Sequence, residues 1–122
     1  MEIISDEQFQ ELIDKAFDSL PKEHRDRVQN VAILIADEPT PEQRAENHLH
    51  PNQTLLGLYQ GVPLAQRQGR NQLLPDRITL FKLPLLAAAS NEGGLYNAIR
   101  HTLWHEIAHY YGLNHDQIHE LE

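Results

Sequence analysis

Four of the eight histidines in this chain, His101, His105, His109 and His115, fall between positions 101 and 115. Two of them frame the string His105-Glu106-Ile107-Ala108-His109, an H-E-x-x-H pattern. Side chains four apart stack on one face of a helix, so His105 and His109 can converge on a single cation with Glu106 beside them. Zinc takes imidazole nitrogen at about 2.0–2.1 Å, and where it does chemistry it keeps a fourth position for water beside three protein ligands. The next turn of the same straight helix lies too far along to supply the third ligand. Gly112 permits the positive φ that turns a chain back, and His115 follows it. The spacing therefore predicts His105, His109 and His115 as ligands of Zn2+, and Glu106 as the base that takes a proton from water. His101, one turn earlier, is expected to stand behind the ligands or to wall the cleft, because three successive helical imidazoles seldom meet on one ion. Asp116 could replace His115, but orienting a ligand imidazole is the more usual task of such a carboxylate.

A helix must carry this string. From Leu95 to Tyr111 the periodicity is helical, with Leu95, Tyr96, Ile99, Leu103, Ile107 and Tyr110 on one arc. His101, His105 and His109 occupy the neighbouring arc, and Glu106 falls between the two. Trp104 lies on the polar side, where an aromatic is expected under a loop or at a subunit contact. Upstream, Ser5-Asp6-Glu7-Gln8 reads as a capping box before an apolar stripe of Phe9, Leu12, Ile13, Ala16, Phe17 and Leu20, which Pro21 ends. Val28 to Ala36 reads as a buried strand, and Thr54 to Val62 as another. Between them, residues 37–53 carry three prolines and read as loop, with a helical turn at Pro41-Glu42-Gln43-Arg44. Arg77 to Lys82 alternates polar with apolar, as a half-exposed strand at a sheet edge would. Pro84 to Ala89 reads as a short helix. His48 and His50 are expected to be ordinary exposed loop histidines, His24 carries no signal, and Asp76-Arg77 is expected to be a structural pair at a strand start.

The chain has 122 residues, the length of one domain spanning 1–122. Its 18 acidic and 10 basic residues give a net charge of −8, which repels phosphate backbones, so nucleic acid is not an expected partner. With no cysteine, the chain has neither disulfide nor thiolate site. No basic and apolar leader opens it and no apolar run suffices for a membrane span, so a cytoplasmic protein without a membrane partner is expected.

The elongated string His105-Glu106-x-x-His109-x-x-Gly112-x-x-His115-Asp116 has the form of the metzincin signature. Together with Leu55-Leu56-Gly57-Leu58-Tyr59-x-Gly61-Val62-Pro63 and Leu74-Pro75-Asp76-Arg77-Ile78-x-Leu80-Phe81, it makes the chain resemble the small bacterial zincin-like family of minimal metalloproteases, from about Ala32 to Asp116. The resemblance implies an α+β fold, a small mixed sheet against helices, with the zinc helix under the sheet. It implies that Arg77, Ile78, Thr79 and Leu80 lie on the edge strand bounding a cleft for a peptide or protein substrate. It also implies hydrolysis of peptide bonds, with zinc polarising the carbonyl and Glu106 passing a proton to the leaving amine. A further oxyanion donor stays open among His101, Tyr110 and Tyr111. The chain departs from full metzincins in that its one methionine is Met1 and seven residues follow His115, which leaves out the methionine turn and pocket wall. The alternatives are a zinc-binding module without turnover and a metal-dependent endoribonuclease, whose small bacterial family also spaces three histidines this way. Glu106 and the negative charge count against the ribonuclease.

Overall fold

The computed structural model describes residues 3–28, 31–61 and 76–110. Helix α1 (Asp6–Asp18) begins at the expected capping box, with the Gln8 amide donating to Ser5 Oγ (3.1 Å) and the Ser5 amide to Gln8 Oε1 (3.0 Å). Its stripe buries Phe9, Ile13 and Ala16. Pro21 then opens a further short helix, α2 (Lys22–Arg27), which the sequence reading lacked. No apolar periodicity marks Lys-Glu-His-Arg-Asp-Arg; the helix is held from outside. The His24 ring packs on Trp104 with centroids 4.8 Å apart, and Arg25 Nε donates to the Leu20 carbonyl (3.0 Å). Trp104, 9% exposed, is thus covered by a helix of its own chain.

Strand β1 (Val31–Ala36) is followed by α3 (Pro41–Glu46), whose proline stands at the first helical turn behind a second capping box, Thr40 with Gln43. Among the described residues, strand β2 (Gly57–Gln60) and strand β3 (Asp76–Phe81) join β1 in a three-stranded sheet of order β1-β3-β2. β1 runs parallel to β3, in register from Val31↔Asp76 to Ala36↔Phe81. β2 runs antiparallel to β3, from Gly57↔Leu80 to Gln60↔Arg77. The sheet is mixed, as expected, but β3 is its centre and not its edge. Arg77, Ile78, Thr79 and Leu80 have neighbours on both sides, so their backbone cannot accept a substrate strand. The misreading has a physical reason. Thr79 is 6% exposed on the face opposite Ile78 and Leu80, and Lys82 leaves the strand to begin helix α4 (Lys82–Ala88). Lys82 Nζ pairs there with Asp6 Oδ1 (2.8 Å) in the first turn of α1. Of the alternating polar residues, only Arg77 is exposed.

Helix α5 (Glu92–Tyr110) starts where Asn91 Oδ1 accepts from the Gly94 amide (2.8 Å). It packs against α1, α4, β2 and β3, with Leu95, Ile99, Leu103 and Ile107 fully buried. No described helix is long and apolar enough to cross a membrane. Because Leu103 sits at the centre of this packing, Leu103→Ala should lower the unfolding free energy of the metal-free protein by about 2–5 kcal/mol in urea denaturation. A loss below about 0.5 kcal/mol would place α5 outside the core.

Candidate metal centre

The α5 register puts core residues on one side and imidazoles on the other, as the sequence predicts. His105 and His109, one helical turn apart, are half-buried, and their ring centroids lie 4.7 Å apart at an interplanar angle of 73°. One donor atom each from His105, Glu106 and His109 falls within 4.8 Å of the others. Two imidazoles and a carboxylate this close form a donor set suited to a divalent ion of zinc's type. Among the described residues, this is the group of histidine and carboxylate side chains able to hold a metal.

Glu106 differs from its neighbours in burial, with 6% of its surface exposed. Its Oε1 accepts two hydrogen bonds, from the Tyr59 backbone amide (3.0 Å) and from His109 Nδ1 (3.1 Å). The first donor comes from the sheet and the second from the same helix. Tyr59 is anchored at its other end, where its hydroxyl donates to Asp76 Oδ2 (2.7 Å), and its ring meets Tyr110 edge-on at 6.1 Å. Asp76, 2% exposed, thus serves Tyr59, a partner other than the Arg77 expected for it.

The hydrogen bond to Glu106 raises the His109 pKa above the ordinary imidazole value; burial opposes this, and the Glu106 charge reinforces it. If His109 keeps its Nδ1 on Glu106, a metal at His109 must sit on Nε2.

His101 is exposed and stands outside the donor cluster. It lines a cleft of about 280 Å³ together with His105, Glu106 and the Leu55-Leu56-Gly57 segment that leads into β2. Tyr110, 1% exposed, belongs to the packing against Tyr59 and not to the cleft wall. His48 and His50 are not buried and take no part in the cluster. His115, Asp116, Gly112 and Tyr111 lie outside the described residues. The sequence reading missed Tyr59, because its contribution is a main-chain amide that any residue except proline would carry. Gly57, two residues earlier and a glycine within a strand, was the available signal of a close backbone approach.

The metal-free protein should keep His109 protonated to a higher pH than an ordinary imidazole, as read by histidine ring resonances in NMR. Glu106→Gln should bring that titration back down. Stability has the matching sign: the contribution from protonated His109 is fully present below the ordinary imidazole pKa and is lost as pH rises through the raised value. An unshifted His109 in the wild type would refute the contact with Glu106.

A family model described as zincin-like metallopeptidase matches residues 28–122. No curated protein gives a significant match. Among solved structures, the chain is similar to a conserved hypothetical protein from Thermo thermophilus, at 21% identity and a TM-score of 0.58. That similarity covers 88% of this chain and 94% of the other, and at such identity it concerns the fold. The matched span includes the whole sheet, the cleft and the helix bearing His105, Glu106 and His109, and on that match the chain belongs to the zincin-like metallopeptidase family.

Proposed function

We propose that this protein is a zinc-dependent metallopeptidase in which His105, His109 and His115 hold the metal and Glu106 is the general base. The observation that carries this reading is a buried carboxylate fixed beside two half-exposed imidazoles, with the carboxylate and the His105 ring on the wall of a cleft. A zinc ion held there supplies the Lewis acid that acidifies water and polarises a carbonyl. Glu106 does the proton work. The Tyr59 amide and His109 occupy its Oε1, so Oε2 is the oxygen that takes a proton and later delivers it to the leaving amine. Asp116, on the same reading, orients a ligand imidazole, and His101 remains a cleft residue. The substrate is an extended peptide lying in the cleft beside β2, which among the described residues pairs with β3 alone.

Elemental analysis of untagged protein purified without chelator should find about one zinc per chain, and His109→Ala should lose it. Protein that binds no zinc under these conditions would sink the reading. Glu106→Gln should keep its zinc and lose turnover on a peptide library by roughly 10²–10⁴-fold. Undiminished hydrolysis by that variant would remove the assigned base, and zinc without hydrolysis in the wild type would leave a binding module.

A further inference from the structure

The Tyr59 amide reaches Glu106 because of how closely β2 approaches α5. The Phe81 amide donates to the Leu56 carbonyl (3.0 Å), so Leu56, and by alternation Leu58 and Gln60, turn their main-chain groups toward β3. The main-chain groups of Gly57 and Tyr59 therefore turn to the outer edge of β2. At Gly57 the strand rests on a ridge of α5 formed by Thr102 and Glu106, four residues apart and so on one face. A Cβ placed on Gly57 would lie 2.6 Å from Thr102 Cγ2, 3.3 Å from Glu106 Cγ and 3.4 Å from Leu80 Cδ2. The first distance is a collision. Thr102 is 5% exposed and β-branched, so its methyl has little freedom to swing aside. The Glu106 contact is also tighter than ordinary packing and would push that side chain by a few tenths of an ångström, while the Leu80 contact is ordinary.

We infer that Gly57, fitted against the Thr102 methyl, is a positioning residue that orients the Glu106 carboxylate by bringing the Tyr59 amide within hydrogen-bonding distance. Any side chain at position 57 lifts β2 off the ridge by about 1 Å, enough to stretch a 3.0 Å hydrogen bond past its useful range. Glu106 then keeps its place on the helix but loses the sheet-borne donor that fixes its direction. The catalytic consequence rests on the peptidase reading above; the geometric one does not.

Gly57→Ala and the double variant Gly57→Ala/Thr102→Ser separate this role from general packing, because serine keeps the hydroxyl and deletes the methyl that collides. The first readout is independent of activity: hydrogen exchange of the Tyr59 amide, followed by NMR in the metal-free protein. Exchange should accelerate about tenfold or more in Gly57→Ala and return to near the wild-type rate in the double variant. Glu106→Ala, with Gly57 intact, should produce the same acceleration by removing the acceptor. The second readout is turnover: Gly57→Ala should lower kcat by up to roughly a hundredfold with zinc content retained and KM changed less than about threefold, and the double variant should recover it. A Tyr59 amide that stays protected in Gly57→Ala overturns the proposal. So does a double variant that remains unfolded, or that folds without regaining the protected amide. Wild-type protein that hydrolyses no peptide would end the peptidase reading, while the amide comparison would still decide the role of Gly57.

Discussion

A carboxylate as buried as Glu106 needs hydrogen-bond donors, since leaving one unsatisfied in the interior is expensive. It finds them on two elements, the Tyr59 amide of β2 and the His109 ring of α5. The sheet bond constrains much of the architecture. β2 must lie at the sheet's edge, or its outward amides would be spent on another strand. It must also run in the register that turns Gly57 and Tyr59 outward, which its pairing with β3 sets. β3, in turn, must be central and apolar on the helix side, and Ile78 and Leu80, fully buried against α5, meet that demand.

The features legible in the sequence were local ones. A capping box, an apolar stripe and an H-E-x-x-H spacing each depend on residues within a few turns of one another, and all three appear where the spacing puts them. Strand order is not local, and there the reading of Arg77 to Leu80 failed. Alternating polarity signals an edge only if the polar side faces water, and Thr79 is buried on that side. Helix α2 escaped notice for a related reason: its support comes from Trp104, far along the chain. The Tyr59 amide was illegible in principle, because a main-chain donor has no residue type to read.

Burial grades the site by task. The imidazoles that would meet a metal remain half-exposed, with His105 on the cleft wall and His109 one turn beyond it. Glu106 is sunk deeper and held from two directions, so its orientation is set before any ligand arrives. That is the arrangement expected when the protein's contribution lies in preorganised direction more than in added contacts. Tyr59 extends the same logic outward, since its hydroxyl on Asp76 ties the strand that orients Glu106 to the first residue of β3.

Helix α1 lies wholly before residue 28, where the family match begins, yet it closes the core behind the histidine-bearing helix. Phe9 and Ile13 are essentially inaccessible, and Asp6 neutralises the buried ammonium of Lys82 at the junction of β3 and α4. The span matched by the family model and the cooperative folding unit are therefore different objects. A piece trimmed to the shared region would retain every letter of the signature while presenting a greasy, water-facing flank and an orphaned cation. The edge of that match is a poor guide to where this polypeptide can be cut.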